Sequence, residues 1–209
     1  MPLAEFVDQA RFPAVAKFLD SQVEMQIADL RVMMGMPRRN GEPGFNLSSL
    51  NVMLDLVAGF SVCLFEASEA ALTNRQDRGS RFKRLLTDYY PWEADEWGAE
   101  GRSEWLWNVA RSPLAHALGV LDPSIAPWFV AAKRPLSAME IGSLESDPAH
   151  PAWLPGTLVL NVQENAAAAV VLSVPTLYWG TWRMVEALCQ DEHQMDLAEV
   201  FLGHVSYGT

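Results

Sequence analysis

Leu19, Val23, Ile27, Leu30 and Met34 recur at steps of four and three residues, with Asp20, Glu24, Asp29 and Arg31 between them. That is the spacing of a helix that buries one face, and it predicts a helix over residues 12–34. Gly35 and Pro37 end it, and residues 38–44 read as a loop. A second helix is predicted from about Asn46–Ser49, good capping residue types, to about Glu69. Leu50, Leu54, Val57 and Leu64 mark its inner face, while Val52, Leu56, Val62 and Cys63 carry hydrophobicity to the other side. Such a helix is buried on several sides. A third helix spans about 80–89 and stops at Pro91; a fourth, 103–117, ends at Gly119. Six prolines make 123–155 the least helical part of the chain. Within it and just after, 128–131 and 157–162 read as short strands, together a small hairpin. Helix returns over 166–190, bent or restarted at Pro175, and a last short helix covers 195–204. The chain shows no internal repeat. The pattern predicts one all-α domain over 1–209, with 123–162 as a Pro-rich insertion carrying the strands.

Half the residues are hydrophobic and 20% are charged, so a disordered chain is excluded and a substantial core is expected. The formal net charge of −11 opposes coating of nucleic acid through the overall field. RNA contact would have to use local positive charge, and Arg75, Arg78, Arg81, Lys83 and Arg84 form the one candidate patch. On a helix at ~100° per residue these fan around roughly half the circumference, as a solvated face also does. Eight tryptophans are many for this length, and Trp92, Trp97, Trp105 and Trp107 crowd together. Core or interface is the first expectation for them, ahead of ligand stacking. Two cysteines, both in apolar segments, support no disulfide framework and fit a reducing cytoplasm, the expected location. The longest uncharged stretch, 166–182, reaches the ~17-residue lower limit of a membrane span. Ser173, Pro175, Thr176, Gly180 and Thr181 interrupt it, so a buried core helix is expected and no membrane contact.

Chemistry concentrates in Arg111-Ser112-Pro113-Leu114-Ala115-His116. The pair joins a permanent cation to a side chain that exchanges protons near neutral pH. Neutral His116 could accept a proton from a ribose 2′-hydroxyl while Arg111 stabilises charge on the phosphate, with Ser112 adding one hydrogen bond. On a straight helix the two side chains diverge by ~140° and lie ~7.5 Å apart along the axis. A kink at Pro113, or a twofold dimer that pools two copies of the segment, would bring them together. No metal or cofactor is called for: the four histidines are scattered, with no i, i+4 pair among them. Read on the residues alone, Arg111 could also cap helix carbonyls or pair with Glu104 or Asp122, and His116 could stabilise a helix C-terminus.

The stretch from Trp105 through Arg111 and His116 to Gly119 resembles the helix that carries the Arg-x(4–6)-His signature of the HEPN superfamily. Residues 82–91 are similar to segments upstream of that signature in some bacterial members. The resemblance implies an all-α, HEPN-like bundle of about five to six helices, with the small β-hairpin insertion between the fourth helix and the C-terminal helices. It implies a metal-independent endoribonuclease, commonly dimeric, with Arg111 and His116 as the catalytic pair. Ser112 stands where active members commonly carry Asn or Asp. RNA is the candidate substrate and a homodimer the expected assembly, with Arg81, Lys83 and Arg84 as the substrate-binding cations; DNA is not expected. The alternative is a non-catalytic binding or dimerisation module that uses the Trp-rich helix as an interface. A small-molecule enzyme built on Asp55, Glu66 or Glu69 has less behind it, since neither a phosphate-binding glycine loop nor a nucleophile elbow occurs.

Overall fold

The structure is a computed structural model, and it describes residues 2–36, 46–92, 98–112, 128–131, 135–149 and 170–204. The predicted first helix is present in three joined pieces. Helix α1 (Pro13–Phe18) passes through a π turn (Leu19–Val23) into α2 (Glu24–Gly35). The cause lies in the spacing: Val15, Leu19, Val23 and Ile27 all face the core at steps of four. Four residues overshoot an α-helical turn by ~40°, so three such steps would drift by ~120°. The wider π turn takes up that drift and keeps the stripe inward. Pro13 opens α1, and the backbone amides of Ala14 and Val15 donate to the Glu199 carboxylate at 2.9–3.0 Å. An acid from the far end of the chain thus serves the free N–H groups and the positive end of α1.

Helix α3 (Asn46–Cys63) buries Leu50, Met53, Leu54, Leu56, Val57 and Phe60. By length and composition it is apolar enough to cross a membrane, whereas the expectation was that no stretch other than 166–182 comes close. Short α4 (Glu69–Thr73) is capped by Ser68, whose hydroxyl accepts from the Ala71 amide. Helix α5 (Arg78–Tyr89) buries Phe82, Leu85 and Leu86, and α6 (Gly98–Trp105) runs on into a π segment, Leu106–Arg111. Strand β1 (Trp128–Ala131) follows, then α7 (Ala138–Ser146), β2 (Val170–Ser173), α8 (Val174–Cys189) and α9 (Glu192–His204).

Four expectations change. Helix α3 ends at Cys63, short of the Glu69 expected for the second helix, and α4 starts separately behind its own Ser68 cap. Strand β1 lies where it was predicted, but it pairs in parallel with β2, Trp128 opposite Val170, so this pair is not a hairpin. The strand expected at 157–162 lies outside the described residues. Residues 170–173 are strand rather than helix, and Pro175 sits in the first turn of α8, where its missing N–H costs nothing. Finally, α7 occupies part of the segment expected to be least helical. A capping box starts it: Ser137 accepts from the Glu140 amide, and the Glu140 carboxylate accepts from the Ser137 amide.

The molecule is predominantly helical, with α8 at its centre. Thirteen of the sixteen residues of α8 are buried, which requires neighbours on every side. Helices α3, α5, α7 and α9 supply them, α2 packs on α3, and α1 packs on α9. Two close approaches fix this packing. Gly180 of α8 lies against the Tyr90 ring, and Gly79 of α5 against the Trp107 indole. A buried polar chain ties α2, α7 and α8 together. Glu145, 5% exposed, accepts from Arg31 Nε at 2.7 Å, Arg31 Nη2 at 3.2 Å and the Tyr178 hydroxyl at 2.6 Å. Arg31 also reaches Glu24, and Arg183 donates to the Glu145 carbonyl. With both carboxylate oxygens of Glu145 occupied, its burial is compensated.

Candidate functional site

Arg111 is the last residue of the π segment, whose Leu106, Val109 and Ala110 are buried. Widened turns of this kind occur often at functional sites. Its guanidinium, 19% exposed, places Nη2 2.8 Å from Asp55 Oδ1 on α3. The other Asp55 oxygen accepts from Asn51 Nδ2 at 3.2 Å, one turn earlier on the same helix. One carboxylate therefore holds both an arginine and an amide. Two buried atoms of this cluster, Arg111 Nε and Asn51 Oδ1, lack a hydrogen-bond partner. An unsatisfied donor and an unsatisfied acceptor thus lie on two residues that Asp55 bridges, which is uncommon for buried polar groups. Asp55 is 45% exposed, so the ion pair is worth about 1 kcal/mol or less to the fold. Arg111 thus meets Asp55 across 56 positions of sequence, while Glu104 faces Lys83 and Asp122 lies outside the described residues. Asp55 reaches the surface and finds two partners, Arg111 and Asn51.

Ser112 is half-buried directly after Arg111, while Pro113 and His116 lie outside the described residues. Trp107 is half-buried against Phe82, with ring centroids 5.2 Å apart, and Trp105 packs against the core from its edge. Trp92 lies on Tyr90 at 4.3 Å, its indole N–H donates to the Leu86 carbonyl, and the Arg102 guanidinium sits 5.7 Å over its ring. These three tryptophans are packing residues first; Trp97 lies outside the described residues.

The basic patch does not present itself as a phosphate surface. Arg81, 4% exposed, turns inward and closes the C-terminus of α3. Its Nε donates to the Ser61 carbonyl at 2.9 Å, and Nη2 to the carbonyls of Phe65 and Glu66. The Ser61 carbonyl is an orphan acceptor at the negative end of α3, and those of Phe65 and Glu66 belong to the turn just beyond it. Burial pulls the Arg81 pKa down and the nearby Arg84 adds to this, while Glu66 and Asp77 oppose it. Glu66 itself sits at φ +47°, the left-handed conformation of a helix stop, and its carboxylate takes Arg84 in two bonds of 2.7 and 2.6 Å. Lys83 faces Glu104 at 3.5 Å. A groove of about 290 Å³ between α5 and α6 is lined by Lys83 and Arg84, but also by Asp88, Glu100 and Glu104. Two cations against three carboxylates leave it one charge negative, the wrong sign for a polyanion.

Sequence reasoning named Arg111 and missed Asn51 and Asp55 as its neighbours. The only available signal was their i, i+4 spacing on a predicted helix. Among the described residues no group of three or more His, Cys, Asp or Glu could hold a metal ion. No family model, curated protein or solved structure matches this chain.

Proposed function

We propose that the chain is a metal-independent endoribonuclease with a HEPN-type bundle, Arg111 holding the scissile phosphate and His116 taking the 2′-hydroxyl proton. The observation that carries this reading is the state of Arg111. It is held in place by Asp55 through Nη2, it stays partly open to solvent, and its Nε has no acceptor. A phosphate would meet the exposed part of that guanidinium, and a fixed cation together with a proton carrier is what in-line attack of the 2′-hydroxyl needs. The P–O2′ bond forms as the P–O5′ bond breaks, and the leaving 5′-oxygen takes a proton from water, which gives a 2′,3′-cyclic phosphate and a 5′-hydroxyl. A dimer would double the cleft. The test incubates wild-type protein with a mixed RNA pool in EDTA, beside His116→Ala and Arg111→Ala. Cleavage by the wild type alone supports the proposal; equal cleavage by all three, or by none, removes it.

One observation favours a second reading, a non-catalytic interaction module on the same bundle. Arg81, Lys83 and Arg84 are each engaged inside the protein, by carbonyls, Glu104 and Glu66 respectively. That reading predicts no cleavage and a stable dimer in size-exclusion chromatography that dissociates on Trp105→Ala.

A further inference from the structure

Arg111 is the only charged residue of the π segment, and Asp55 is the only one that α3 carries along its 18 residues. The i→i+5 hydrogen bonding of a π segment sets Arg111 close beneath the buried Leu106, which turns its guanidinium toward α3. Helix α5 packs on both elements, but its cations are engaged elsewhere. Arg78 donates to the Leu72 carbonyl and Arg81 to carbonyls at the end of α3, Lys83 faces Glu104, and Arg84 holds Glu66. Among the described residues, the charge where α3 meets the π segment is therefore that of one guanidinium and one carboxylate 2.8 Å apart, which cancel.

This cancellation bears on which phosphate Arg111 can hold. Asn51 donates to the second Asp55 oxygen at 3.2 Å, so the carboxylate is kept in place from two sides. A phosphate bonded to the exposed part of the guanidinium would lie about 6 Å from it. A phosphodiester brings one negative charge, and a phosphomonoester brings nearly two above pH about 7. Arg111 meets the first charge. The second finds no further cation, because Asp55 already balances Arg111, and it faces that carboxylate in a chain of net charge −11. An arginine without such a partner would rank the two the other way, the dianion first. At about 6 Å in a largely aqueous setting, repulsion between two unit charges changes affinity about threefold to tenfold.

We propose that Asp55 is a specificity-determining residue: it makes Arg111 select singly charged phosphodiesters, the internal linkages of RNA, over phosphomonoesters such as terminal phosphates and free nucleotides. This rests on the reading of Arg111 as the residue that holds a phosphate. The probes are 2′-deoxyadenosine 3′-phosphate and its methyl ester, which share base and sugar, lack the attacking hydroxyl and differ by one charge at pH about 7.5. Binding is read by NMR chemical-shift titration of wild type, Asp55→Asn, Asp55→Ser and Arg111→Gln, with a thermal melt of each. Asp55→Asn keeps an oxygen for Arg111 Nη2 and removes only the charge, at a position 45% exposed, so the fold is kept. Wild type is expected to bind the diester at least as tightly as the monoester. Both neutral variants at position 55 should strengthen the monoester about threefold to tenfold more than the diester, and Arg111→Gln should lose both ligands. Tighter binding of the monoester by wild type, an equal shift of both ligands in the neutral variants, retained binding by Arg111→Gln, or no binding to wild type overturns the inference. RNA cleavage is scored apart. Wild type that shows the preference without cutting RNA loses the ribonuclease reading alone, and wild type that cuts RNA without the preference loses this inference alone.

Discussion

Gly180→Ala should destabilise the protein even though alanine is the better helix former. Gly180 lies in the middle of α8, and a Cβ there would stand 2.1 Å from the Tyr90 hydroxyl oxygen, 2.2 Å from its Cζ and 2.5 Å from its Cε2. Carbon atoms in contact prefer about 3.5–4.0 Å, so ring or helix must shift by more than about 1 Å. Tyr90 cannot swing aside at low cost. It is 4% exposed, stacked on Trp92, and its hydroxyl donates to the Thr176 carbonyl at 3.4 Å. Evicting an aromatic ring from a core costs about 3–5 kcal/mol, against about 1 kcal/mol gained by removing a helix-interior glycine. The net expectation is a loss of about 2–4 kcal/mol. Urea unfolding followed by tryptophan fluorescence measures it as a lower midpoint at unchanged slope. A double-mutant cycle locates the cause: in a Tyr90→Leu background Gly180→Ala should cost nothing or stabilise slightly. If Gly180→Ala alone matches or exceeds wild-type stability, propensity outweighs the contact and the reasoning is refuted.

Arg81→Met should cost about 3 kcal/mol, because it strands the carbonyls of Ser61, Phe65 and Glu66 at the end of α3, and Arg81→Lys should recover only part of this, as a point charge cannot reach three acceptors in a fork. The same unfolding assay reads both variants. The Tyr89 hydroxyl donates to Asp191 at 2.6 Å and is the largest cause holding that carboxyl below its usual pKa. A lowered carboxylate contributes stability above its unfolded pKa and loses it as pH falls through the folded value. Tyr89→Phe should therefore lower stability near neutrality and flatten the acid limb of the pH–stability curve, while a curve parallel to wild type down to pH about 2 would contradict the assignment.

Local information carried the helices. The stripe from Leu19 to Met34, the capping types near Asn46, and Pro91 after α5 each act within one or two turns, so they can be read along the chain. Helix α7 has a local signal too, the Ser137–Glu140 capping box, set among prolines that point away from helix. The Val170–Ser173 run could not be assigned locally, since a short apolar segment suits strand and helix alike; its parallel pairing with Trp128–Ala131 decides it.

The candidate site divides the same way. The sequence placed Arg111 near a helix end and marked it as chemically capable. That Arg111 meets Asp55, and that Arg81 turns inward to cap α3 instead of facing RNA, depends on how α3, α5 and the π segment pack. A charged side chain takes whichever acceptors the fold brings within about 3 Å, and those come from residues dozens of positions away. Residue order by itself thus determined where helices form and which residues could do chemistry. Only the tertiary structure decided which partners each cation finds, carbonyls at the end of α3 for Arg81 and the Asp55 carboxylate for Arg111.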